Sequence, residues 1–103
     1  MRNSRLSRAA RKSLARIYDG IVAAAADEAT ADSFVVTLQA QCEKLASLPG
    51  TLGRPRPELG DDFRSFPYRG YVIVFRYLPE VLDIVDILSE RQDIDAHFSE
   101  DEQ

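Results

Sequence analysis

Hydrophobic positions in this chain follow two different periods, and the change falls at Pro49-Gly50. Before it, Leu14, Ile17, Tyr18, Ile21, Val22 and Ala25 recur at helical spacing. At 100° per residue they fill an arc of about 140°. Ser7 stands where an N-cap belongs, ahead of Arg8-Ala9-Ala10. The pattern predicts a helix from Arg8 to Ala25. Asp27-Glu28-Ala29-Thr30 marks a break, and a second stripe follows in Ala31, Phe34, Val35, Leu38, Cys42, Leu45 and Leu48. It predicts a helix from Thr30 to Leu48. Pro49 ends it, because proline has no N–H to donate and disfavours helix in the residue before it. Two helices joined this closely are expected to fold as an antiparallel hairpin. Val36 falls off the stripe, on the far side of the second helix.

After Pro49 the helical period is lost. The loop to Pro57 is rich in Pro, Gly and Arg. Asp62 to Phe66 has room for a strand, and Pro67-Tyr68-Arg69-Gly70 reads as a turn. Tyr71 to Tyr77 is β-branched and aromatic, a strong strand signal. Leu78-Pro79-Glu80 turns the chain again, and Val81 to Ser89 predicts another strand. Asn3 to Leu6 is a short, polar strand candidate. Glu90 to Phe98 has room for a short helix. The expected order is β-α-α-β-β-β, an α+β fold in which the helical hairpin packs on a small antiparallel sheet. Residues 1–98 are expected to form a single domain, and residues 99–103 an acidic C-terminal tail.

Charge alters this picture at one end. Of the 13 basic residues, six (Arg2, Arg5, Arg8, Arg11, Lys12 and Arg16) precede the first acid, leaving seven against all 17 acids. A protein that lives on nucleic-acid backbone presents a basic face overall. This chain has a formal net charge of −4 and only its N-terminal patch to offer, so the patch reads as a solvated helix face. Composition is ordinary for a globular chain, with 45% hydrophobic and 29% charged residues. No apolar run approaches the ~20 residues that span a bilayer. No apolar stretch follows Met1-Arg2-Asn3-Ser4-Arg5, so no secretory signal is expected. Cys42 is the one cysteine. It lies on an apolar stripe and reads as a small buried hydrophobe in a reducing compartment.

The order of the pieces carries a resemblance. Leu45-Ala46-Ser47-Leu48-Pro49-Gly50 leads into Gly53-Arg54-Pro55-Arg56-Pro57-Glu58-Leu59. Phe63-Arg64-Ser65-Phe66-Pro67 and Tyr71-Val72-Ile73-Val74-Phe75-Arg76 follow. From Arg5-Leu6-Ser7 to Phe98, the chain resembles the ParE branch of the ParE/RelE superfamily, the toxins of bacterial type II toxin–antitoxin pairs. The resemblance implies the fold derived above. It also implies a cytoplasmic toxin that inhibits or poisons DNA gyrase and is neutralised by a cognate ParD-like antitoxin in a hetero-oligomer. It implies no cofactor, no metal, no membrane and no direct nucleic-acid binding by the toxin alone.

Within that superfamily, RelE-like members are ribosome-dependent mRNA endoribonucleases. Cleavage by 2′-hydroxyl attack needs an acid, a base and cations aimed at the phosphate. RelE-like toxins place an arginine after the Gly-Tyr of the third strand; here that position is Val72. Asp86 and Ser89 stand where many relatives carry arginine and histidine. A late tyrosine or histidine completes many RNase sites, and here only His97 and Phe98 are available. No catalytic residue is assigned.

The ParE-like pattern fits better. Arg64 and Arg76 match its strand arginines, and Asp93 and Ile94 match its closing Arg-Asp-Ile. There Gln92 replaces the arginine and Arg91 comes one residue early. The binding candidates implied are Arg54, Arg56, Arg64, Arg76, Arg91, Asp93 and Phe98. Each arginine has a plainer alternative: Arg64 and Arg76 pairing with Asp93 or Glu58, Arg54 and Arg56 simply solvated. Tyr18, Tyr68 and Tyr71 read as core or rim residues. An RNase of the RelE type and a non-toxic antitoxin-binding relative are the alternative functions.

Overall fold

The computed structural model describes residues 2–90 of the 103-residue chain. Its elements are β1 (Asn3–Leu6), α1 (Arg8–Ala25), α2 (Glu28–Ser47), β2 (Arg54–Pro55), β3 (Phe63–Tyr68), β4 (Tyr71–Tyr77) and β5 (Val81–Ser89). The five strands form one sheet in the order β1-β5-β4-β3-β2. Among the described residues no helix is long and apolar enough to cross a membrane.

The hairpin forms as its apolar stripes dictate. Ser7 caps α1, its Oγ accepting the Ala10 N–H at 3.0 Å and donating to the Val85 carbonyl at 2.6 Å. The cap therefore also ties the helix to the sheet. Ala26, at φ 53, ends α1. α2 begins at Glu28, two residues earlier than its apolar stripe suggests. The reason is Asp27, which caps it by accepting from Ala29 N–H at 3.0 Å and Thr30 Oγ at 2.7 Å.

The strands β4 and β5 occupy their expected ranges. The turn before β4 is tighter than expected. Pro67 and Tyr68 belong to β3, and only Arg69 (φ 48) and Gly70 (φ 88) make the connection. Two successive positive φ values match a two-residue hairpin turn whose twist suits the flanking strands. Two further differences concern the sheet. Arg54 and Pro55, expected in a loop, pair with Ser65 and Arg64 as a short edge strand. β1 runs parallel to β5, with Asn3 opposite Val81 and Leu6 opposite Ile84, so the sheet is mixed rather than antiparallel. The helical hairpin between β1 and the rest supplies the long crossover that parallel pairing requires.

The main core lies between helices and sheet. Leu14, Leu38, Cys42 and Leu45 meet Ile73, Phe75, Leu82, Ile84 and Ile87. A smaller cluster, Leu59, Val74 and Leu88 with Phe63, Val72 and Val85 at its margin, occupies the sheet's other face. A bulge between Val74 and Phe75 shifts the β4–β5 register. The short helix and acidic tail expected beyond Glu90 fall outside the described residues.

Candidate functional site

The alternation of strand side chains sorts the arginines of the Arg54–Arg76 stretch onto two faces. Arg64 pairs with Phe75 and so belongs to the helix side. Its Nε donates to Leu52 O at 2.7 Å and its Nη2 to Gly53 O at 2.9 Å. It fastens the loop entering β2 and pairs with neither Glu58 nor any other described carboxylate in that geometry. That loop has no room for a side chain at Gly53. The residue has φ +80, and a Cβ there would lie 2.7 Å from Ser65 O and 2.8 Å from the Phe75 ring.

Arg76 lies on the opposite face. Its Nε sits 3.1 Å from Asp83 Oδ2, while Arg5 Nη2 reaches Asp83 Oδ1 at 3.4 Å from the other side. The three are directly opposed across β4, β5 and β1. Asp83 is buried (6% exposed), whereas the arginine side chains stay 41% and 59% exposed. The carboxylate holds two guanidinium groups in line and leaves their outer faces in water. The two arginines offset the burial of the carboxylate, and in return it fixes the position of their charge.

Arg54 is opposite Ser65 and exposed. Arg56, one turn of the pleat further, is tied down: its Nε is 2.6 Å from Glu58 Oε1 and its Nη1 donates to Ser65 Oγ at 3.3 Å. The Arg56 hydrogen bond also lowers the Glu58 pKa. Phe63 is opposite Arg76 on β3. A band of arginines therefore crosses the face away from the helices, from Arg5 on β1 through Arg76 on β4 to Arg54 and Arg56 at β2. Beside it lies the second apolar cluster, in which Val74 and Leu88 are buried and Val72 and Val85 half-buried. The structure thus brings Arg54, Arg56 and Arg76 onto one face and turns Arg64 away from it. Arg91, Asp93 and Phe98 lie outside the described residues, as does His97.

The positions compared above with the RelE-type pattern are filled as follows. Val72 sits at the margin of the second apolar cluster. Asp86 is buried, its Oδ1 accepting from Ser13 Oγ at 2.5 Å and from Ile87 N–H at 2.8 Å. Ser89 borders a groove with Arg16, Ile17 and Tyr71. None of the three presents a cation. Among the described residues, no group of three or more His, Cys, Asp or Glu side chains is arranged to hold a metal ion.

The remaining candidates are structural. Cys42 is buried, and burial, helped by Glu43, pushes its thiol up to about 12. It is therefore almost wholly un-ionised at neutral pH and packs as a hydrophobe. A hydrogen bond to Asp32 raises the Tyr18 pKa. Tyr71 stacks against Phe34 with ring centroids 5.4 Å apart, and the Tyr68 ring lies under Arg69. Among the described residues Val36 is the most exposed large hydrophobe, at 64%.

The N-terminal basic patch divides. Arg2 donates to Gly50 O at 2.6 Å and lies over the Tyr77 ring at 4.2 Å. Arg5 joins the ladder, Arg16 donates to Ser13 Oγ at 3.0 Å, and Arg8, Arg11 and Lys12 remain exposed on α1. Sequence reasoning missed Asp83, and it counted Arg5, though inside the expected β1 strand, with a solvated helix face. The available signal was the alternation in Ser4-Arg5-Leu6, which sends Arg5 to the face opposite Leu6.

Comparison with known proteins bears on the family and the fold. A family model described as the ParE toxin of the type II toxin–antitoxin system, parDE, matches residues 5–94. No curated protein sequence matches the chain. Among solved structures, the chromosomal ParDE toxin–antitoxin system from P. aeruginosa is similar in fold, with a TM-score of 0.73. That alignment covers 86% of this chain and 96% of the other, at 22% identity.

Proposed function

This chain belongs to the ParE toxin family of type II toxin–antitoxin systems, and on that premise we propose that it is a cytoplasmic toxin that inhibits or poisons DNA gyrase and is neutralised by a cognate ParD-like antitoxin. The observation that carries the reading is the band of Arg5, Arg76, Arg54 and Arg56 on the sheet face away from the helices, beside the half-buried Val72 and Val85. Arginines held in register across a rigid sheet suit a protein target, where charge supplies register and speed of encounter. Such a toxin acts by altering its target's working cycle, so it requires neither a nucleophile nor a metal. Val72 and Asp86, where a RelE-type RNase would carry cations, favour this over mRNA cleavage.

A gyrase supercoiling assay with purified protein tests the proposal. Loss of supercoiling, or gyrase-dependent DNA breaks, is the expected result. Unchanged supercoiling and intact DNA at high dose would overturn it. An mRNA cut in a translating extract would point instead to the ribosome. Normal growth on induction without antitoxin would make this a non-toxic, antitoxin-binding relative.

A further inference from the structure

Between α2 and β2 the chain crosses residues 48–53 with no helix or strand to shape it, and side chains from three distant parts of the chain do so instead. Ahead of β1, Arg2 Nη2 donates to Gly50 O at 2.6 Å, and its guanidinium lies 4.2 Å from the centre of the Tyr77 ring. At the end of β4, Tyr77 Oη accepts the Leu52 N–H at 2.9 Å and donates to Leu45 O at 3.4 Å. From β3, Arg64 Nε donates to Leu52 O and its Nη2 to Gly53 O. Leu52 thus has both its N–H and its C=O held by side chains, while its own side chain packs on the main core. In an unheld loop water would take those backbone groups and the chain would sample many conformations.

The Gly53 carbonyl is the most telling of these acceptors, because it belongs to the peptide group that opens Arg54. Arg54 is exposed, and among the described residues no hydrogen bond or ion pair holds its guanidinium. The backbone alone sets where that charge stands. Arg76 is placed differently, through its own side chain on Asp83. The two ends of the arginine band therefore depend on separate supports.

From this clamp we propose that Arg64 and Tyr77 are positioning residues for the target contact. They act without touching the target, by holding Leu52 and Gly53 so that Arg54 stands in place before binding. The order is then fixed in the free toxin and does not have to be created on association. The inference rests on the gyrase reading for the identity of the target. The division between Arg54, set by the loop, and Arg76, set by Asp83, comes from the fold itself.

The test is a set of double-mutant cycles on the full chain, read as the toxin concentration that halves gyrase supercoiling, with the unfolding midpoint of each variant measured alongside. Arg54→Ala is expected to raise that concentration about tenfold. Arg64→Ala and Tyr77→Phe are each expected to raise it about three- to tenfold, by releasing the loop. In the Arg54→Ala background each should add less than about twofold, because the group they position is gone. In the Arg76→Ala background each should keep its full effect. The Leu52 amide should exchange about tenfold faster in Tyr77→Phe, which loses only the hydroxyl.

Multiplication of the Arg64→Ala and Arg54→Ala effects would make Arg64 a contact in its own right and overturn the inference. So would full inhibition by Arg54→Ala, or by a Tyr77→Phe chain whose Leu52 amide exchanges faster. An equal loss in every background, with a lowered unfolding midpoint, would reduce the clamp to a stabilising element and overturn it too. Should Arg64→Ala not fold, Tyr77→Phe carries both cycles. A wild-type chain that leaves supercoiling unchanged would remove the gyrase reading and this inference with it, whereas wild-type inhibition with multiplying effects removes this inference alone.

Discussion

The two faces of the sheet are built from the same strands and do different work. Toward the helices, Ile73, Phe75, Leu82, Ile84 and Ile87 are all nearly or wholly buried against Leu14, Leu38 and Leu45. Away from them, a smaller buried cluster of Leu59, Val74 and Leu88 lies beside the exposed or half-buried Arg5, Arg76, Arg54 and Arg56. One face closes the fold. The other uses the same strands to hold Arg5 and Arg76 in line on the buried Asp83. A substitution's effect should therefore depend on which way its side chain points, even between neighbours in one strand.

Adjacent residues of β4 break or support that contrast most directly. Phe75→Ala, on the helix face and fully buried, is expected to cost about 3–5 kcal/mol, since it leaves a cavity at the centre of the main core. For a domain whose whole stability is of order 5–15 kcal/mol, that is a large share. A drop in the urea midpoint measures it, and a loss below about 1 kcal/mol would mean that the helices do not depend on this contact. Next in size is Gly53→Ala. Its left-handed φ costs about 1–2 kcal/mol, and its contacts with Ser65 O and the Phe75 ring add about 1–3 kcal/mol. The same denaturation experiment reads it.

Arg76→Ala sits one residue from Phe75 and should behave in the opposite way. Its side chain is partly in water, and Arg5 still pairs with the buried Asp83 when Arg76 is gone, so the loss should stay at about 1 kcal/mol. The unfolding midpoint should hardly move, while inhibition of gyrase should fall about tenfold or more, as for an arginine at an interface centre. Retained inhibition would remove the open face from the target contact. A large loss of stability would make the ladder part of the fold.

The contrast also separates what the sequence revealed from what it hid. Both helices and the strands Tyr71–Tyr77 and Val81–Ser89 were legible because each carries a repeated local signal: an apolar stripe, or a β-branched run between turns. Cys42 was legible as core for the same reason, lying on α2's stripe. The direction of β1 was not, because its partner β5 begins at Val81 and nothing near Asn3 encodes that meeting. Nor were the roles of the arginines. Arg64 and Arg76 look alike in sequence, each in an aromatic-rich strand. Only the register that places one opposite Phe75 and the other opposite Asp83 makes the first a loop fastener and the second a presented charge.

The smallest effect is a pH one, and it compares a carboxylate from each side of the molecule. Asp27 caps α2. Its pKa is lowered first by the Thr30 hydroxyl bond and then by the Ala29 amide. Glu58, in the loop beside the arginine band, is lowered chiefly by Arg56. For both, the folded pKa lies below the unfolded one. Their stabilisation is therefore complete above the ordinary values of 3.8 and 4.5 and is lost as pH falls through the lower folded values. Asp27→Asn keeps a capping side chain without a charge to titrate. It should match the wild type at pH 7 and lose less stability between pH 5 and pH 3, read by denaturation at each pH. Glu58→Gln should flatten the same acid limb. It should also loosen Arg56, so its effect on gyrase inhibition should exceed that of Asp27→Asn. If the two variants affected inhibition equally, the arginine band would have no special tie to the target, and the two faces would differ in stability alone.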